Sequence, residues 1–431
     1  MRLIKTKKIM LVSGILLLGW TSLAYAGIEL GVKETIDAAL KASESLKISE
    51  NNFKKSTAVY KQARSGLLPH FNANATWTHN DQYPLSADKT TDYELSSGIT
   101  ATQLLWSFGK VSAAVDAAKK SVEALKLNKQ VKQLDIIYTA KLSYYSLLFA
   151  KKAFLITQES YNTIVENKTL LEQRSQAGRN SKRDIIKMDA DIAARIPQLN
   201  DARSQWQTAL KTLNTLVDLP LNTEIELIDQ FAVNSDNFIY EQQVSKLYAN
   251  QPLLKSLDAQ ISAAESVLSS RRADTLATVS LFASSDYNGG SNDKKYIGSD
   301  AMDPYVSAGI RVNVPLWNGG EKRAIIEQAK TDRDNLLLLR KHEEENLLLG
   351  LKVAVGEYTE YQNTLEANNQ AVRLAKESYD ITRDMFESGQ ISLTDLNDSE
   401  QLLTSQKLRL EQTLYNIAIT KAMVEKLTLK E

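Results

Sequence analysis

Two kinds of apolar spacing run along this chain, and each occurs twice. Phe71, Ala73, Ala75 and Trp77 alternate with Asn72, Asn74, Thr76 and Thr78, and Tyr93, Leu95, Ile99 and Ala101 alternate with Glu94, Ser96, Gly98 and Thr100. The period returns in Val279, Leu281 and Ala283 against Thr278, Ser280 and Ser284. It returns again in Val306, Ala308, Ile310, Val312 and Val314 against Ser307, Gly309, Arg311 and Asn313. Alternation with period two puts successive side chains on opposite faces of a strand. It predicts four strands, at about 71–80, 93–106, 277–287 and 305–316.

Each pair of strands leads into a long stretch of a different character. From Lys110 to Gln176, and from Glu321 to Glu387, helix-forming Ala, Leu, Lys, Glu and Gln run with no Gly or Pro except Gly350 and Gly356. At 1.5 Å per residue each run makes a helix of roughly 100 Å. Gly178 and Gly389 end the runs, and Ser181 and Ser392 open return segments, giving two antiparallel helical hairpins over 110–217 and 321–429. Pro197 lies inside the first return and is expected to kink it. A narrow apolar seam beside small residues such as Ala113, Ala114, Ala117 and Ala118 suits packing on two sides. A cylinder of helices and an isolated dimeric coiled coil both fit that pattern.

The two halves keep one register. Gly320 follows Gly109, Gly389 follows Gly178, Ser392 follows Ser181 and Asp395 follows Asp184, each by 211 residues. A unit this long exceeds the roughly 20 to 50 residues of a solenoid repeat, so it reads as an internal duplication. The first repeat covers 27–218, with short helices before its strands, and the second covers 253–431. An inter-repeat linker, 219–252, is expected near the middle of the helical part.

Composition adds an address. Arg2, Lys5, Lys7 and Lys8 precede an apolar run from Ile9 to Trp20, and Ala24-Tyr25-Ala26 has the small-x-small form of a cleavage site, so 1–26 reads as a signal peptide. A retained anchor is the alternative, although the run is short for a membrane span. The chain has no cysteine, which leaves no disulfide framework and no site for N-terminal lipidation. Removing four basic residues with the signal leaves a slight acidic excess, without the basic surplus of a nucleic-acid binder. No later run is long and apolar enough for a transmembrane helix, so any membrane crossing is made by strands.

The predicted strands have the length of transmembrane β-strands, about 10 to 13 residues, with Trp77, Tyr93, Trp106, Phe108, Tyr287, Tyr305 and Trp317 at their ends. A soluble half-buried sheet alternates in the same way. If the strands cross a bilayer, four cannot close a barrel alone, because open edges cannot face lipid and the smallest such barrels have about eight strands. The barrel must then be shared between subunits, with polar faces, including Glu94 and Arg311, lining a lumen.

Here the residues resemble the TolC-like outer membrane efflux proteins. Ala63-Arg64-Ser65-Gly66-Leu67-Leu68-Pro69 is similar to the family's lead into its first strand, and Trp106-Ser107-Phe108-Gly109-Lys110 to the start of its long helix. The Gly-centred turns, Ala177-Gly178 with Asp184 and Ser388-Gly389 with Asp395, are similar to its periplasmic tips. The resemblance implies a mainly α fold with a membrane β-barrel: a homotrimer whose twelve-stranded barrel in outer membrane lipid continues into a periplasmic α-barrel tunnel of helical hairpins. It implies a passive exit channel working with a periplasmic adaptor and an inner-membrane pump, in efflux or type I secretion. It also implies that Asp395 and Asp398 form aspartate rings at the periplasmic entrance, and that the tips, including Ala177, Gly178, Ser388, Gly389 and Gln390, meet the adaptor.

Two observations qualify the carry-over. Ser181-x-x-Asp184 and Ser392-x-x-Asp395 are also capping-box patterns, in which the carboxylate serves the helix end. The family's polar lock uses an Arg and a Tyr at the second tip, where this chain has Ile391 and Phe386. The first tip instead gathers Arg174, Arg179, Lys182 and Arg183, which either are solvated or pair with Asp395 or Asp398 across hairpins. No cofactor is expected: His70, His79 and His342 are scattered, and no phosphate loop, dinucleotide fingerprint or nucleophile elbow occurs, so the chain is not expected to be an enzyme. The competing class is an exported coiled-coil structural or adaptor protein of the periplasm.

Overall fold

A computed structural model describes residues 28–79, 93–176, 181–231, 236–291 and 302–429. The expected signal peptide, residues 80–92 and 292–301, and Ala177, Gly178 and Arg179 of the first tip lie outside the described residues. The chain is a seven-element unit used twice. The first unit is β1 (Ile28–Leu30), α1 (Val32–Ala42), α2 (Glu44–Ser65), β2 (His70–His79), β3 (Tyr93–Trp106), α3 (Lys110–Gln176) and α4 (Lys182–Leu216). The second is β4 (Ile225–Leu227), α5 (Tyr240–Asn250), α6 (Pro252–Ala273), β5 (Thr278–Ser291), β6 (Met302–Asn313), α7 (Glu321–Ser388) and α8 (Leu393–Thr428).

Helices α3 and α7, of 67 and 68 residues, run the length of the helical part. Nearer the strands α2 packs on α3, and α6 lies between α3 and α7; toward the tips α4 and α8 both pack on α3, and α8 on α7. Four helices therefore stand side by side at each level. Their contacts use small residues, with Ala117, Ala124, Ala140, Ala329 and Ala354 buried, which allows close approach without a thick core. Helix α4 continues through Pro197 from Lys182 to Leu216. No described helix is long and apolar enough to cross a membrane.

The stretch 219–252, expected as a linker, holds β4 and α5, which open the second unit. Strands β1 and β4, each Ile-Glu-Leu, pair in parallel with Ile28 opposite Ile225. Tyr144 of α3, fully buried, fastens this pair: its Oη accepts from the Asp229 backbone N–H at 2.9 Å and lies 3.3 Å from the Leu30 carbonyl oxygen. Burial pushes the Tyr144 hydroxyl up to about 12. The link ties both repeats to one point on α3.

Strands β2, β3, β5 and β6 form one antiparallel four-stranded sheet in that order, with β2 and β6 as its two edges. Strand β6 starts earlier than the alternation suggests and stops at Asn313, before Pro315, whose missing N–H cannot serve a ladder.

Candidate functional site

The sheet register sorts side chains cleanly. Phe71, Ala101, Ala283 and Ala308 stand in one row, and Asn72, Thr100, Ser284 and Ser307 in the next on the opposite face. The first face carries Trp77, Ile99, Leu281, Tyr287, Ile310 and Val312, and nothing among the described residues covers it: Phe71 is 73% exposed, Val306 75% and Ile310 65%. A band of this size, left open, needs an apolar solvent or a partner. Trp77 stacks on Tyr93 with centroids 5.8 Å apart, and Trp106 meets Phe108 edge to face at 6.0 Å, marking opposite ends of the band.

The opposite face is polar and internally bonded. Ser284 donates to Asp286 at 2.8 Å and lies 2.9 Å from the Ser307 hydroxyl, and Ser96 donates to Asn288 at 2.7 Å. Glu94 and Arg311, the two charges expected on the lumen side, both belong to this face and are exposed.

At the far end of the helices the tips are built by capping. Ser392 accepts from the Asp395 N–H at 3.3 Å, while the Asp395 carboxylate accepts from the Ser392 N–H at 3.1 Å and its hydroxyl at 2.7 Å. Ser181 and Asp184 repeat the arrangement at the start of α4. The Ser392 hydroxyl and then its N–H hold the Asp395 carboxyl below the usual carboxylate range. Gly389 ends α7 at φ +87°, and Gln390 N–H reaches back to the Met385 carbonyl at 2.9 Å, a left-handed turn that glycine takes at low cost because it has no β-carbon. Ser388, Gly389 and Gln390 are all exposed.

The positions of the family's polar lock are used differently. Phe386 is fully buried in a core that joins both hairpins: Ile164 and Leu171 of α3, Met188 of α4, Tyr379 of α7, and Leu393, Leu396 and Leu403 of α8. Ile391 packs against the same cluster, and the Arg174 guanidinium lies over the Phe386 ring, 4.6 Å from its centroid. Lys182 and Arg183 are exposed and make no ion pair with Asp395 or Asp398 within the chain. Asp398 instead borders a cleft of about 660 Å³ between α4 and α8, with Lys187, Asp191, Arg195 and Asn397 on its walls.

Sequence reasoning missed the polar links between hairpins. Lys187 donates to Thr394 at 2.7 Å and Asn397 to Asp191 at 2.8 Å. Above them Arg195 pairs with Glu400, whose side chain is only 4% exposed, and also donates to Ser160. Farther along the α3 and α8 seam come Glu159 with Lys407, Lys152 with Glu411 and Lys141 with Glu425. Charges within long polar helices carry no mark of which will be buried, so no local signal points to Glu400.

Comparison with known proteins agrees with this architecture. The family model described as outer membrane efflux protein matches residues 35–217 and 244–428, one segment per repeat. The pyoverdine export outer membrane protein OpmQ of Pseudomonas putida is 22% identical over 349 residues, covering 80% of this chain and 73% of OpmQ. The outer membrane protein TolC of Vibrio cholerae is 23% identical over 83% of this chain and 81% of its own length. Among solved structures, the Campylobacter jejuni CmeC outer membrane channel superposes with a TM-score of 0.82 at 17% identity, covering 92% of this chain and 85% of CmeC. VceC of Vibrio cholerae gives 0.79 at 17% identity, covering 92% and 95%. With a model match in both repeats and the sheet and hairpins in the matching order, the chain belongs to the outer membrane efflux protein family.

Proposed function

We propose that three copies of this chain form a passive exit duct through the outer membrane. The observation that carries this is an open four-stranded sheet with an uncovered apolar face, joined directly to two hairpins of roughly 100 Å. One sheet cannot satisfy its edge N–H and C=O groups in lipid. Three sheets, joined β6 to β2, remove every edge and give a twelve-stranded barrel with the polar face inward. The α3–α4 and α7–α8 hairpins continue that wall as a periplasmic tunnel. No bond is made or broken in such a duct; an inner-membrane pump supplies the energy, and a periplasmic adaptor joins the two. A periplasmic adaptor is poorly matched by two equivalent hairpins, each preceded by a pair of strands of membrane length.

The tips are the proposed entrance. Asp395 and Asp398 are three residues apart on α8, so they share a face; around a threefold axis they concentrate negative potential at the mouth and favour cations there. The capping bonds of Asp395 leave its charge in place. Arg174, Arg179, Lys182 and Arg183 of the first tip are the proposed counter-charges, reached across a subunit boundary. The adaptor docks on Ser388, Gly389 and Gln390 and on the first tip at Ala177 and Gly178, the ends farthest from the barrel.

Because the chain has no cysteine, single thiols report contacts without background. Gln390→Cys and Ser388→Cys are expected to cross-link to the cognate adaptor in cells, and Trp77→Cys on the barrel is not. Cross-linking confined to Trp77→Cys would refute the tip assignment.

A further inference from the structure

The polar face of the sheet holds one feature that lining a watery lumen does not require. Phe282 is the single phenylalanine among the described polar-face positions, in the row His70, Thr102, Phe282 and Gly309. Gly309 provides its seat: a β-carbon there would lie 3.1 and 3.2 Å from two ring carbons of Phe282. Across from Ser280, one row nearer the helices, Arg311 turns its guanidinium over the same ring, 4.9 Å from the centroid. Covering a strand glycine with an aromatic ring is a packing device. It does not explain a ring on the polar face capped by a cation, and among the described residues Arg311 makes no ion pair.

Charge is also sorted along this face. Arg311 lies at the helix-proximal end, whereas Asp286, Asp303 and Glu94 stand in successive rows toward the far end. From the Arg311 row to the Asp286 row is about 20 Å along the strand, beyond a Debye length of about 8 Å at physiological salt. Among the described positions of this face, no carboxylate therefore stands within a Debye length of Arg311.

We propose that Phe282 and Arg311 form a subsite for aromatic organic anions at the inner end of the barrel lumen, present three times around the ring. The proposal rests on the trimeric duct above, since only there does the polar face enclose a lumen. One face of the guanidinium is held by the ring, and its edge N–H groups remain to take a carboxylate or sulfonate in forked geometry. The exposed part of the Phe282 ring offers a surface on which the aromatic body of the ligand stacks. The subsite favours anions that are both flat and apolar over small hydrated ones, at the point where cargo passes from tunnel to barrel.

The test uses the mature protein in a planar bilayer, with 1-naphthalenesulfonate or methanesulfonate added on the barrel side. The aromatic anion is expected to block at about tenfold lower concentration than the aliphatic one. Arg311→Gln is expected to weaken block by both, whereas Phe282→Leu abolishes the difference between them and keeps the weaker block. Should Arg311→Gln fail to assemble, Arg311→Lys, which keeps the charge and loses the fork, is expected to weaken block by both anions and to keep the aromatic preference that Phe282 supplies. Equal block by the two anions, or naphthalenesulfonate block unchanged in these variants, overturns the subsite and leaves the duct intact. A protein that assembles into no channel overturns both.

Discussion

Phe386→Ala is expected to loosen the tip and raise the resting conductance of the channel. Phe386 is fully buried, and the cluster around it draws on α3, α4, α7 and α8 together, so the ring belongs to the contact between hairpins rather than to either hairpin alone. Truncating a buried phenylalanine to alanine costs about 3–5 kcal/mol through lost burial and the cavity left behind. It also removes the surface on which the Arg174 guanidinium rests, 4.6 Å from the ring centroid. The α7–α8 hairpin then gives up part of its hold on α3 and α4. Single-channel recordings should show more current at rest, and the purified protein should unfold at lower denaturant. Phe386→Leu, which keeps most of the volume, should show both effects weakly. A wild-type conductance and midpoint in Phe386→Ala would show that the cluster does not hold the tip.

Breaking the ion pair beneath α8 is expected to have an effect of similar size with a different signature. Glu400 and Arg195 have side chains only 4% and 15% exposed, and the Thr404 hydroxyl donates to Glu400 at 2.8 Å. Glu400→Leu leaves the largely buried Arg195 guanidinium without its carboxylate and with Ser160 as a remaining partner, which costs up to about 3–5 kcal/mol. Replacing both partners, Arg195→Met with Glu400→Leu, removes the stranded charge and should recover most of that loss, because a buried pair often gains little over an apolar one of the same volume. Denaturant unfolding of the two single variants and the double variant forms a mutant cycle. The double variant should be more stable than Glu400→Leu alone; additive losses would mean that the two groups do not act as a pair.

The parts legible in the sequence are those governed by local chemistry. The long helices start after Gly109 and Gly320 and end near Gly178 and Gly389 because nothing between them but Gly350 and Gly356 weakens the helix. The strand faces follow from parity, since a shift of one residue would exchange Phe71 for Asn72 on the apolar face. The capping-box reading of Ser181 with Asp184 and Ser392 with Asp395 was available from spacing alone, and both boxes are formed.

What depends on distant contacts was hidden. The β1 and β4 pair is three residues long and joins positions far apart in the chain; its only trace is the tripeptide Ile-Glu-Leu at 28–30 and 225–227. Phe386 and Ile391 register in the sequence as a departure from the family's polar lock. That they are instead part of a core shared by two hairpins is a matter of tertiary packing. Phe282 does carry a visible signal: it breaks the alternation by placing a large apolar residue between Leu281 and Ala283 on the polar side.

The central claim is that one chain cannot complete the sheet it carries. Extracting the mature protein from outer membranes in detergent and measuring its mass by light scattering, followed by reconstitution into a planar bilayer, tests this directly. Trimers that conduct ions are predicted; a monomer that is soluble without detergent and leaves the bilayer silent would contradict the account.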